Sequence, residues 1–272
     1  MPEITAKMVN ELRSKTGQGM MECKKALVEC GGEVDKAVDY FRKKGIKTSI
    51  AERAATQGRV AGLLSEDQKS GALVEIACNT DFTAKSQPVA DLANNAAKLL
   101  LNTPSLDLSQ TKEVTDALTQ VSQQTGENVR LGRSAVLSNP AGKVGLYLYT
   151  VTNKIGVLTS VSGSPGDELL RDLGIHITAK SPVAIALNRE SAPAEIVAKE
   201  KEIAVAQAVA SGKPPQIAEK IADGKMRTFY QEYVLLDQEF VNPDKFKGSV
   251  SDLLKKSNCT LEKYVRIEAG QS

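Results

Sequence analysis

The chain has 272 residues, enough for two or three modules that each bury a core, and 41% of them are apolar. Thirty-five Lys and Arg stand against 33 Asp and Glu. That near balance, a net charge of +2, gives no electrostatic basis for direct nucleic-acid or acidic-membrane binding, so the expected partner is a protein or a small molecule.

The opening stretch MPEITAKMVNELRSK is charged and holds no signal-peptide core, and no later run reaches the roughly 18 apolar residues of a membrane span. Cys23, Cys30, Cys78 and Cys259 form no CxxC pair and are too dispersed for a disulfide framework, which fits a reducing cytoplasm.

Ile4, Met8 and Leu12 recur every four residues and predict a first helix with Thr5 as its cap. The turn Thr16-Gly17-Gln18-Gly19 ends it, and Met20, Cys23, Ala26 and Leu27 mark a second helix running to Gly31-Gly32. Val34, Ala37, Val38 and Phe41 mark a third, stopped near Gly45. These helices form a small three-helix bundle with a thin core, expected over residues 1–53 and suited to binding a partner from a tether. Residues 46–58 read as a linker or a solvated helix.

The period then changes. Val60 to Leu64 and Ala72 to Cys78 are β-prone runs around the polar turn EDQKSG, a hairpin pattern. Helices follow in PVADLANNAAKLLL and KEVTDALTQVSQQ. A second round of strands begins near Ser134, with SAVLS, KVGLYLYTV and KIGVLTSVS, followed by the helix DELLRDLGIHITAK. Strands then helices, twice over, predict an α+β fold with two related subdomains and antiparallel sheets, divided as residues 54–140 and 141–272. Within the second, residues 192–223 carry Ile196, Ala204, Ala208 and Ile217 at apolar positions, broken by Gly212-Lys213-Pro214-Pro215. This predicts an inserted antiparallel helical hairpin, which leaves self-association open. VSDLLKKS reads as a helix and LEKYVRIEA as a last strand.

Chemistry-bearing patterns are sparse. His176 is the only histidine, and its place in an apolar helix reads as a packed or interface residue rather than a catalytic one. Gly142-Lys143, Gly212-Lys213 and Gly224-Lys225 are followed by Val, Pro and Met, never by the Ser or Thr with which a P-loop binds magnesium. No catalytic group, cofactor or metal is therefore expected, and the chain is read as a binding protein rather than an enzyme.

The segment TAKMVNELRSKTGQGMMECKKAL resembles the amino-terminal motif of the elongation factor Ts family: a helix, a Thr-Gly-x-Gly turn and a Met-Met-acid-Cys-Lys-Lys run. CNTDFTAKS is similar to the family's Cys-x-Thr-Asp-Phe-x-Ala-basic stretch. GENVRLGR, KIGVL, GIHITAKSP and SGKPPQIAEKIADGKMRTFYQEYVLLDQEFV follow in the family's order and extend the likeness over most of the chain. The resemblance implies a guanine nucleotide exchange factor that binds the GTPase elongation factor Tu, opened by a bundle of the ubiquitin-associated type.

For Thr80-Asp81-Phe82 the residues alone allow two readings. An acid and a large aromatic just beyond a strand suit a projecting wedge, since Phe supplies buried area and Asp directional acceptors. Phe82 folded back into the core, with Asp81 capping the next turn, is the ordinary alternative. The resemblance favours the wedge and implies that Asp81 and Phe82 enter elongation factor Tu near its magnesium site, framed by Thr80 and Thr83. It also makes Arg13, Met20, Met21 and Lys24 contacts with the partner's GTPase domain. By position alone Arg13 and Lys24 are solvated charges, and of the adjacent Met20 and Met21 one belongs in the core and the other is free.

Two departures limit the likeness. Tyr147-Leu148-Tyr149 stands where family members commonly have Tyr-Ile-His, so Tyr149 replaces a histidine contact or the contact is absent. The sequence closes at EAGQS, so contacts from a helical tail are not expected. The competing function is a non-catalytic adaptor whose bundle binds a peptide or ubiquitin-like partner.

Overall fold

The computed structural model describes residues 4–16, 18–43, 56–210, 212 and 214–270. The expected linker at 46–58 falls outside these residues except for its last three, and so does the stop at Gly45.

Three helices open the chain: α1 (Ala6–Thr16), α2 (Met20–Glu29) and α3 (Val34–Lys43). Thr5 caps α1 by accepting the Met8 N–H at 3.3 Å. Gly31 and Gly32 adopt positive φ and end α2, with the Gly32 N–H turning back to the Leu27 carbonyl at 2.8 Å. Val9, Leu12, Cys23, Ala26, Leu27, Ala37 and Phe41 make the core, so each helix buries one stripe.

The remainder is α+β. Strands β1 (Gln57–Leu64), β2 (Ser70–Cys78) and β3 (Arg130–Ser138) form one antiparallel sheet with β2 central. Strands β4 (Gly142–Leu148), β5 (Ile155–Ser162) and β6 (Thr260–Glu268) form a second with β5 central. Helices α4 (Asp81–Ala84), α5 (Gln87–Asn102) and α6 (Lys112–Thr125) lie between β2 and β3. Helices α7 (Asp167–Ala179), α8 (Ala194–Ala210), α9 (Pro215–Tyr233) and α10 (Val250–Lys256) lie between β5 and β6. Both halves thus run hairpin, helices, returning strand.

This corrects the phase of the repeat expected from the sequence. SAVLS, taken as the start of the second round, belongs to β3 and closes the first sheet on β2; the second round starts with β4. Periodicity identifies a strand but not the sheet it joins, because pairing is settled by contacts distant in sequence.

The two sheets face each other through Val60, Leu73, Leu137, Val144, Leu158 and Ile267. On the outer face of the first, Ala72, Val74 and Ile76 pack against Val89, Ala93, Ala96 and Leu100 of α5. On the outer face of the second, Val157 and Val161 pack with Leu170, Leu173 and Ile177 of α7. The central strand β2 is covered on both faces, which explains its nearly unbroken apolar run. Its one charge, Glu75, is buried and satisfied by Arg133 Nε at 3.0 Å and the Gly270 N–H at 2.9 Å, tying the end of the chain to the first sheet.

Helices α8 and α9 pack through Ala204, Ala208, Ala218, Ala222 and Met226. Ile196 and Ile217, expected on the apolar stripe, are exposed, because small residues fill the seam and bring the backbones close. Helix α9 continues to Tyr233, past the expected end near 223, where Phe229 stacks on Tyr233 at 5.1 Å.

Candidate functional site

Strand β2 ends at Cys78, and its last side chain is buried beneath α5. Two residues later the chain turns into α4, a single helical turn. Thr80 is its cap, with extended backbone and a hydroxyl that accepts the Thr83 N–H at 3.2 Å. Asp81, the alternative cap, instead occupies the first helical position and pairs with Lys85 Nζ at 3.0 Å. The Lys85 ammonium holds the Asp81 carboxyl below its ordinary range, and more distant Lys154 acts in the same direction.

Phe82 is 86% exposed, the most exposed of the large apolar side chains among the described residues. It is not core. Thr83 is 5% exposed and faces inward, whereas Thr80 is at the surface.

Sequence reasoning passed over the group that holds this turn. Glu127 sits in the loop between α6 and β3, where Gly126 at φ 69° ends α6 in a left-handed turn and sends the chain back toward β2. The Glu127 Oε2 accepts the backbone N–H of Asn79 at 3.1 Å and of Thr80 at 3.0 Å, while Oε1 accepts the Thr80 hydroxyl at 2.7 Å. Burial raises the Glu127 carboxyl, yet hydrogen bonds from the Thr80 and Thr83 hydroxyls and these two amides outweigh it and hold it below the usual carboxylate range. In return, Asn79 Oδ1 accepts the Asn128 N–H at 2.7 Å. The available signal was the motif GENVR itself, where a Gly at a helix end precedes an acid.

The second group lies on the amino-terminal bundle. Arg13, Met20, Met21 and Lys24 are all exposed. The expectation of one core methionine is corrected: Met20 is 54% and Met21 66% exposed, because Cys23, Ala26 and Leu27 alone fill the inner face of α2. Arg13 on α1 is close enough to Cys23 to act on its thiol electrostatically, so it lies near the start of α2. Tyr149, at the end of β4, is half-buried, and its backbone closes the β4–β5 turn with Ile155 and Asn153.

His176 is wholly buried. Its Nδ1 accepts the Val241 N–H at 3.1 Å, so Nε2 carries the proton and donates to Gln238 Oε1 at 3.1 Å. Gln238 in turn donates to the carbonyls of Pro182 and Glu232. Burial pushes the imidazole down to about 4. This is a structural hub between α7 and the end of α9.

Among the described residues no cluster of His, Cys, Asp and Glu suits a metal ion, and no helix is long and apolar enough to cross a membrane. None of the four cysteines forms a disulfide with another.

A family model described as Elongation factor TS matches residues 79–271. The chain is 37% identical to Elongation factor Ts of Chlorobaculum parvum, over 99% of this chain and 100% of that protein. It is 40% identical to Elongation factor Ts of Syntrophotalea carbinolica, over 99% and 94%, and 38% identical to that of Methylococcus capsulatus, over 98% and 92%. The amino-terminal motif, the Phe82 turn and the GENVR loop therefore lie inside one continuous likeness, and the chain belongs to the elongation factor Ts family.

Proposed function

We infer that this protein is a guanine nucleotide exchange factor that binds elongation factor Tu in its GDP form and promotes GDP release during translation elongation in the cytoplasm. Family membership over nearly the whole chain supports the activity. The observation that carries the mechanism is Phe82, a bare aromatic on a turn whose capping residue, Thr80, is clasped by Glu127.

The mechanism is linkage. If this chain binds nucleotide-free elongation factor Tu more tightly than the GDP form, GDP affinity in the ternary complex falls by the same factor. Phe82 offers apolar area that is buried only in the complex, and Asp81 offers an acceptor beside it. Inserted near the partner's magnesium and phosphate groups, they displace charge-assisted contacts and replace them with burial that needs no nucleotide. Thr80 caps the turn at the edge of that contact, and Thr83 supports it from behind. Arg13, Met20, Met21 and Lys24 form a second contact, in which two flexible thioethers adapt to an apolar surface between two cations. No bond is made or broken on this chain, so it acts as a binding protein and not as an enzyme.

We divide the chain as a bundle at 1–53, a first subdomain at 54–140 and a second at 141–272. The division at 140 falls between β3 and β4, where one sheet ends and the other begins.

The test is release of a fluorescent GDP analogue from purified elongation factor Tu. Acceleration by catalytic amounts of this protein is expected. An unchanged rate, together with binding of a peptide or ubiquitin-like partner by the bundle, would establish the adaptor reading.

A further inference from the structure

A lone helical turn is too short to hold itself together, and a bare phenylalanine gains by folding onto nearby apolar surface. Yet Phe82 stands clear of the protein on the four-residue α4. Something outside the turn must fix its backbone. Lys85 pairs with Asp81 at the surface, where such pairs contribute little. The Glu127 carboxylate does more, since it gathers two consecutive backbone amides and the capping hydroxyl from the three-residue stretch that leads into Phe82. Asn79 and Asn128 close the same contact in the reverse direction.

We propose that Glu127 is a positioning residue for nucleotide exchange, locking the Asn79–Thr80 backbone so that Phe82 is presented to the partner already in its binding orientation. The proposal rests on the reading of Phe82 as the wedge. Glu127 makes its contacts within the chain and acts through Phe82. Its effect is on preorganisation: without the clasp the turn samples other conformations, and only the fraction with Phe82 outward is competent to bind. The core of the sheet does not depend on it, because Thr80 is at the surface and water can replace the lost acceptor.

The experiment is a double-mutant cycle on the full chain, reading GDP release from elongation factor Tu at sub-saturating exchange factor, with a melting curve for each protein. Phe82→Ala is expected to slow release by about thirtyfold or more, as at a hot spot. Glu127→Ala is expected to slow it by about tenfold while the protein still melts cooperatively, and to add less than about twofold in the Phe82→Ala background, because both act on one element. If Glu127→Ala fails to fold, Glu127→Gln replaces it; Gln keeps the size and one acceptor oxygen but loses the charge, and a several-fold slowing that vanishes beside Phe82→Ala is expected.

Parental exchange by the folded Glu127 variant while Phe82→Ala is slow overturns the positioning role and leaves the wedge standing. A slowing that multiplies in the double variant also overturns it, since Glu127 would then act by another route. Parental exchange by Phe82→Ala removes the wedge reading and this inference with it.

Discussion

Phe82 and Thr83 are neighbours in the chain and opposites in burial, 86% against 5% exposed. Successive helical residues point in different directions, so the two side chains can meet different surroundings. The aromatic is outside and the hydroxyl inside because the inner side of this turn holds a carboxylate that needs donors, and Thr83 supplies one. A phenylalanine there would take one donor away from that carboxylate.

The inversion gives Phe82→Ala a distinctive signature. A buried phenylalanine costs roughly 3–5 kcal/mol when truncated, through lost burial and a residual cavity. Phe82 has almost no burial to lose, so its melting temperature should stay near the parent value while binding to elongation factor Tu loses on the order of 2 kcal/mol or more. Asp81→Ala should likewise slow exchange with little change in folding, and the pair should be non-additive. Stopped-flow GDP release and a melting curve on the same samples decide it; an early melt, or exchange at the parental rate, contradicts the wedge.

Removal of residues 1–53 should leave the two-sheet body folded, because among the described residues the core of the bundle is made from its own residues. Affinity for elongation factor Tu should fall, through loss of Arg13, Met20, Met21 and Lys24. Calorimetric titration of the truncated protein checks this, and binding as tight as that of the full chain would show that these four residues make no contact.

His176 predicts a pH dependence of stability. Protonating Nδ1 would set a second donor against the Val241 N–H, and burial already disfavours the cation, so the native imidazole titrates near 4 while an unfolded one titrates at about 6.5. The unfolded chain therefore takes up the proton first as pH falls below 6.5. Stability should be full above that pH, decline by about 2 kcal/mol between pH 7.5 and 5, and gain no further loss from this group below its native value. Urea unfolding of the parent and of His176→Gln at both pH values measures it. The variant should lack this part of the slope, and equal slopes in the two proteins would contradict it.

Gly174 lies in α7 where a Cβ would come within 2.3 Å of the Tyr147 Cβ on β4. Alanine favours a helix over glycine by up to about 1 kcal/mol. Here the clash should prevail, because the strand cannot recede from a helix packed in the core, and Gly174→Ala should destabilise the fold by about 1–3 kcal/mol in urea. A more stable variant would mean that α7 can lift from the sheet at no cost.

Local pattern was enough to read most of the elements. Apolar spacing in α1 to α3, alternation around EDQKSG and the Gly-Pro break between α8 and α9 each act over a few residues, which is the range on which helix and strand propensities operate. The long composite motifs also carried the family, since TGQGMMECKK and CNTDFTAK are statements of sequence and need no fold to be recognised. Tertiary structure alone decided three things. It assigned β3 to the first sheet, because pairing depends on partners such as Val74 and Ser134 that are far apart in the chain. It turned both Met20 and Met21 outward, because how many side chains the bundle core can hold is a property of three helices together. And it brought Glu127 onto Asn79 and Thr80, 48 and 47 residues away, because α6 ends in a left-handed glycine that returns the chain to the end of β2.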